Sequence, residues 1–289
     1  MNNDFDKSIY DQRWKTSKNT KDESILALQN PKTQVSFFYY HYNRLIYNII
    51  SDHFESLKGL DVLEIGCGRA TASIYLNLKA QVNIFPTDYS ENAIDIANKN
   101  LLFFGLQPNA TVQNLFDMNK SKKYDVVISL GVMEHMPDSE NAYKKMLELL
   151  KPNGLMISMN VPEKYFSVQT LATPINRILI TVNKLLNNAD SKPWLDAKSR
   201  SKTGSVYRTY ADAFSFRLSC LKAGFIDVET FEVNPFPTID PLPDYMDSFI
   251  TSLYIIAMVF RSKFNSRNSF MTNKHLSRCH FVVGTAPSQ

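Results

Sequence analysis

The segment Asp61 to Thr71, DVLEIGCGRAT, constrains this chain more than any other stretch. An apolar run (Val62, Leu63, Ile65) meets a Gly-x-Gly turn, with Glu64 two residues before the first glycine. This is the pattern of a buried parallel strand entering a tight loop and then a helix. Gly66 and Gly68 leave the turn without Cβ atoms. Backbone can then press against a ligand, and the next helix offers it free N–H groups. The acid narrows the ligand. A dinucleotide site of the form G-x-G-x-x-G/A wants a third small residue, and that position holds Thr71. A carboxylate beside the turn repels a diphosphate and suits a cation.

Later segments add to this. VNIFPTDYSENAIDIANKN (Val82 to Asn100) reads as a strand ending in Asp88 and a helix with apolar Ala93, Ile94, Ile96 and Ala97. Asp88 lies about 20 residues past the glycine turn, where a nucleotide-binding βαβ unit places a carboxylate on ribose hydroxyls. A capping acid is the other reading of Asp88, which the spacing disfavours, and Ser90 can serve as N-cap with Glu91 in the first turn. A short strand precedes Phe116-Asp117, and Asp117 also suits a turn. A fourth strand, Val126 to Leu130, runs into Gly131 and Met133-Glu134-His135. LELLKPNGLMISMNVP (Leu147 to Pro162) reads as helix, turn and fifth strand, and AGFIDVETFEV (Ala223 to Val233) supplies a later one.

Taken in order, E-x-G-x-G, Asp88, Phe116-Asp117, the Glu134-His135 pair with its following Pro-Asp, and LKPNG resemble the motifs of the class I S-adenosylmethionine (SAM)-dependent methyltransferases. The resemblance covers roughly residues 60–162, with an echo at 223–233. It implies an α/β fold: a doubly wound, mostly parallel seven-stranded sheet with helices on both faces, an N-terminal helical extension and a helical lid insertion. It implies a SAM site with Glu64, Gly66, Cys67 and Gly68 around the methionine end. Asp88, with Tyr89 beside it, would take the ribose. Phe116 would cover the adenine, Asp117 would accept from its amino group, and Leu130 or Gly131 would floor the sulfonium. Cys67 reads as a small filler, not a nucleophile.

The organisation expected is an extension at 1–58, a SAM-binding core at 59–162, a lid at 163–206 and the remaining sheet with a substrate-side segment at 207–289. Ser36 to Leu57 is aromatic-rich and reads as one helix or two. Tyr10 and Trp14, four apart, would share a helical face. They either cover the sulfonium, as aromatic faces attract cations, or pin the N-terminus to the core. Val168, Leu171, Ile175, Ile178, Leu179, Val182 and Leu185 share one helical face. That face is read as core packing or a substrate lid, with membrane-surface contact as the minority reading. Phe249 to Phe260 reads as a buried helix or a pocket wall.

Composition bounds the rest. The chain has 289 residues with a net charge of +4, small for a dedicated nucleic-acid binder. Three well-separated cysteines (Cys67, Cys220, Cys279) point to free thiols in a reducing cytoplasm. No apolar run reaches a membrane span. His275 and His280 bracket Cys279 without a zinc spacing, so no metal is assigned.

The expected partner is therefore a small-molecule acceptor, methylated on oxygen, nitrogen or carbon, of the metabolite or sugar-containing type. Tyr207, Arg208 and Tyr210 are the substrate-side candidates. Arg208 would suit a carboxylate or phosphate, or simply be a solvated surface residue. His135 is the one histidine near the site, read either as a base or as an orienting group. The competing readings are an RNA or protein methyltransferase, for which Lys120, Lys122 and Lys123, with Arg261, Lys263 and Arg267, form basic clusters; a non-catalytic SAM-binding subunit; and, against Glu64 and Thr71, a nicotinamide dehydrogenase. Oligomeric state is not legible in the sequence.

Overall fold

The computed structural model describes Trp14 and residues 31–187, 207–263 and 269–288, with backbone alone at 184–187. Tyr10, the Leu185 side chain, the polar stretch 188–206 and Arg267 lie outside the described residues.

Helix α1, Gln34–His53, is a single helix. Thr33 caps it through a reciprocal pair with Ser36. Then follow β1 (Asp61–Ile65), α2 (Thr71–Ala80), β2 (Asn83–Asp88), α3 (Glu91–Phe103), β3 (Thr111–Val112) and β4 (Tyr124–Leu130). The chain continues with α4 (Ser139–Leu147), β5 (Leu150–Asn160), α5 (Val168–Asn187), α6 (Ala213–Lys222), β6 (Ile226–Val233), α7 (Asp244–Ser262) and β7 (Cys279–Thr285). Ser90 caps α3 by accepting from the Ala93 N–H, and Glu91 sits in its first turn, as the sequence predicts.

The seven strands lie in the order β3-β2-β1-β4-β5-β7-β6. β1 to β5 pair in parallel, and β7 runs antiparallel to both β5 and β6. β1 and β4 are therefore the neighbours at which the winding reverses, the place where open α/β sheets bind ligands beyond their carboxyl ends. Central strands buried on both faces need apolar cover on each side. One apolar cluster joins α1, α2 and α3 to one face through residues such as Phe37, Ile46, Ile74 and Ile94. The other joins α4 and α6 through Tyr143, Met146, Phe216 and Cys220.

Three expectations change. The Lys151-Pro-Asn-Gly turn lies within β5 as an irregularity, where the register against β4 shifts between Tyr124 and Val126. Asn153 takes the left-handed conformation there (φ 59°). The 249–260 run is mostly not buried and does not line the main cavity: within α7 only Thr251 and Met258 are buried, and Phe249, Ile256 and Phe260 are exposed. The apolar face of α5 does not pack into the core either. Leu171, Ile175, Ile178 and Val182 are exposed, and it is Gln169 and Asn176, on the polar face, that dock. They bond the loop at Thr238 and Asp240 in both directions. Two backbone-matching amides hold that loop more specifically than apolar contact would. Among the described residues no helix is long and apolar enough to cross a membrane.

Candidate functional site: a charged crevice at the switch point

Glu64 is the last but one residue of β1 and is buried. Its Oε2 accepts from the Ser73 N–H (3.0 Å) and hydroxyl (2.5 Å) at the start of α2. Burial pushes its carboxyl up to about 7, the Ser73 bonds oppose that, and the Asp88 charge adds to it. The glycine turn follows with Gly66 at φ 67° and Gly68 at φ 52°. A Cβ on Gly66 would lie 2.3 Å from Val132 Cγ2, and one on Gly68 would lie 2.8 Å from the Trp14 ring. Both positions thus need glycine twice over, for conformation and for space. Cys67 donates its N–H to Thr87 O at 2.8 Å. Its buried thiol is pushed well up by desolvation and by Glu64 and Asp88, which leaves it un-ionised and inert as a nucleophile.

Asp88 closes β2. Its Oδ2 accepts from the Gly68 N–H and its Oδ1 from the Ser90 N–H, each at 2.9 Å. Across the crevice, β4 delivers Leu130 and Gly131 (φ 73°), and a short 3-10 turn, Met133–His135, carries Glu134 and His135, both buried. His135 Nδ1 lies 2.7 Å from Tyr207 O. A carbonyl only accepts, so Nδ1 carries a proton, and Nε2 lies 3.9 Å from Glu134 Oε1. The Glu134 carbonyl accepts from the Thr209 N–H, which ties residues 207–209 to the site's rim.

One cavity of about 590 Å³ joins these groups, within the range of small-molecule and cofactor sites. Glu64, Gly66, Cys67, Gly68, Asp88 and Tyr89 line it from the β1–β2 side. Phe116, Leu130, Gly131 and His135 line it from the other side, and Trp14 and Arg208 also border it. Asp117, Tyr207 and Tyr210 are not part of the lining. Asp117 belongs to the short turn Leu115–Asp117, where Gln113, Asn114, Leu115 and Phe116 face the cavity instead. Tyr210 stacks on Tyr165 at 5.1 Å, outside it. Arg208 pairs with Glu163 at 3.6 Å.

The sequence reading missed several lining residues. Val132 faces Gly66, and nothing in its own sequence context marks it. Phe38 and Tyr42 come from the aromatic-rich α1, and Met159 and Val161 from the end of β5. Thr238 and Arg278 come from segments far along the chain. The signal for the last was present: CHFVVGT is an apolar run of strand length that starts one residue after Arg278. Among the described residues no three His, Cys, Asp or Glu side chains are grouped to hold a metal ion.

The strand order and the switch-point crevice with its carboxyl groups define a Rossmann-like α/β protein with an acidic ligand crevice. Comparison with known proteins agrees. Residues 56–194 match the family described as methyltransferase domain. The ubiquinone biosynthesis O-methyltransferase of Rickettsia canadensis is 28% identical over 108 residues, 37% of this chain and 45% of that protein. That of Coxiella burnetii is 27% identical over 111 residues, 38% of this chain and 47% of that protein. The chain thus spans just under half the length of the curated relatives it matches. Among solved structures, magnesium protoporphyrin IX methyltransferase from Synechocystis, with bound S-adenosylhomocysteine (SAH), aligns at a TM-score of 0.52 and 16% identity, covering 96% of this chain and 98% of that one. Phosphoethanolamine N-methyltransferase 2 of Haemonchus contortus, in complex with SAM, gives 0.52 and 13%, covering 88% and 57%. These matches support a class I, Rossmann-like SAM-dependent methyltransferase.

Proposed function

We propose that this protein is a SAM-dependent methyltransferase that moves a methyl group to an oxygen, nitrogen or carbon of a small metabolite or sugar-containing precursor. The observation that carries this is the single crevice that Glu64, Gly66, Gly68 and Asp88 line together with Gly131 and His135. The residues fit the cofactor: the turn has no room for a Cβ at either glycine, and a buried carboxyl awaits a cation.

SAM, when bound, supplies a methyl on a positively charged sulfur already activated for in-line displacement. The chain's own residues then have positioning work. Glu64 and the glycine turn face the methionine end, Asp88 and Tyr89 the ribose, and Phe116 the adenine; Asp117, outside the lining, is left without that role. Leu130 and Gly131 form the floor, and Trp14 covers the turn. His135, its Nδ1 proton committed to Tyr207 O, presents Nε2 as the acceptor for a proton from the nucleophile. A cavity of this size supports a small acceptor over RNA or a protein chain. Three separate free cysteines support a reducing, cytoplasmic location.

Calorimetric titration with SAM, SAH and NADH tests the cofactor. Affinity for the first two alone is expected, and affinity for NADH alone would overturn the reading. Release of methyl from labelled SAM against an acceptor panel tests turnover. Binding without release across the panel would favour a non-catalytic subunit.

A further inference from the structure

The cavity is charged oppositely at its two ends. Glu64 and Asp88 line it at the ends of β1 and β2, Glu134 lies beside Gly131 after β4, and Arg278, just before β7, lines it from beyond β4 and β5 in the sheet order; Arg208 borders it as well. Arg278 comes there through topology. Because β7 runs antiparallel to β5, with Met159 opposite Phe281 and Asn160 opposite His280, the start of β7 lies at the carboxyl edge of the parallel strands. Arg278 immediately precedes β7 and so arrives at the ligand edge of the sheet, beside Met159 and Val161.

Its surroundings are unusual for a charge. The guanidinium carbon lies 5.0 Å from the Phe38 ring centroid, and Nη1 donates to Thr238 Oγ1 at 2.6 Å. Arg208 has Glu163 and Lys164 has Glu232 as partners. No Asp or Glu of the described residues forms an ion pair with Arg278. A half-buried guanidinium set against an aromatic ring loses hydration, and only one of its five N–H donors is engaged by Thr238. Thr238 is itself clamped by Gln169 and Asn176 of α5, so the planar fork is held in a fixed place. A planar fork presented this way matches a carboxylate or phosphate.

We propose that Arg278 binds an oxyanion, carboxylate or phosphate, carried by an acceptor whose body packs against Phe38, Tyr42 and Met159. Arg208 borders the same cavity and adds to its positive potential. This assignment rests on the methyl-transfer reading for the word acceptor, though the anion site itself does not. An acceptor so held is anchored at one end by charge and presents its other end toward Gly131 and His135.

The test uses the full chain, with and without saturating SAH, titrated with phenyl phosphate, benzoate and benzyl alcohol. These probes share a ring and differ in charge. Both anions should bind at least tenfold more tightly than the alcohol, and their order separates phosphate from carboxylate as the preferred group. Arg278→Met should abolish that preference, Arg278→Lys should keep part of it, and SAH affinity should be the same in all three proteins. Equal binding of the alcohol, no binding by any probe, or a preference that survives in Arg278→Met would each overturn the proposal. Anion binding in a wild-type protein that ignores SAH would keep the anion site and remove the methyl-transfer reading instead.

Discussion

Asp88 Oδ2 accepts the backbone N–H of Gly68 at 2.9 Å, so the end of β2 holds the turn that leaves β1. The other carboxylate oxygen accepts from Ser90 N–H. One side chain therefore fixes two loops and its own orientation toward the cavity. The two readings of Asp88, cap and ligand residue, are compatible, because the backbone bonds are what pre-organise the carboxylate.

Replacing Asp88 with alanine should weaken SAH binding at least tenfold, equivalent to about 1.4 kcal/mol. It also leaves a buried Gly68 N–H without this acceptor, which costs about 1–3 kcal/mol of stability. Calorimetry and a thermal melt separate the two effects. A folded Asp88→Ala protein with wild-type SAH affinity would rule out the ribose assignment.

Glu64 predicts a pH dependence of definite sign. Its carboxyl is raised from 4.5 to about 7, chiefly by burial and in part by Asp88. The native state therefore holds this proton more tightly than the unfolded chain. Its contribution to stability is fully present below about 4.5 and is lost as pH rises through about 7, by roughly 3 kcal/mol in total. Glu64→Gln should abolish that slope and leave the ligand-free protein more stable than wild type at pH 8. The cationic ligand needs the carboxylate, so wild-type affinity for SAM should fall below pH 7 by up to about tenfold per pH unit, and Glu64→Gln should bind SAM weakly at every pH. Parallel pH–melting curves for the two proteins would contradict the assignment.

The cofactor half of the site was legible because its determinants are local. Glu64, the two glycines and Asp88 are set by strand ends and tight turns, which leave fixed spacings in sequence. Arg278 was not, because its place depends on β7 inserting antiparallel between β5 and β6. His280 is buried, and desolvation lowers its pKa to about 3. The helix at 168–187 was found by its period, and of its open readings the exposed apolar face removes core packing alone. Periodicity marks an amphipathic helix but does not say whether its apolar or its amide side meets the protein. Asn176 and Gln169 dock because the fold brings the backbone of Thr238 and Asp240 within their reach, a tertiary fact with no local trace.

Gly66 should be intolerant for two separable reasons. A Cβ there meets Val132 Cγ2 at 2.3 Å, and φ is 67°. Gly66→Ala should destabilise by about 1–3 kcal/mol, combining strain and overlap, and should eliminate detectable SAH binding. Adding Val132→Ala removes the overlap but not the backbone strain, so the double variant should regain only part of the stability. Denaturant titration of the four proteins in the cycle gives the coupling. Additive effects would show that Val132 does not press on the turn.

The amide clamp from α5 makes the last prediction. Asn176 Nδ2 and Gln169 Nε2 both donate to Thr238 O, at 2.9 and 3.2 Å, and Gln169 Oε1 accepts the Thr238 N–H at 2.7 Å. Asn176 Oδ1 also accepts from the Asp240 N–H at 3.2 Å. Losing both amides returns these backbone groups to water or leaves them unpaired, at roughly 1–3 kcal/mol for each group that stays buried. Gln169→Ala with Asn176→Ala should therefore speed amide hydrogen exchange at Thr238 and Asp240 and lower the melting temperature. SAH affinity should not change, because neither amide borders the cavity. Exchange in α2 and α3 should also be unaffected, since those helices pack on the opposite end of the sheet order. Unaltered protection at Thr238 would mean that the loop is held by Arg278 and Gln34 alone, and that α5 sits on the core without organising it.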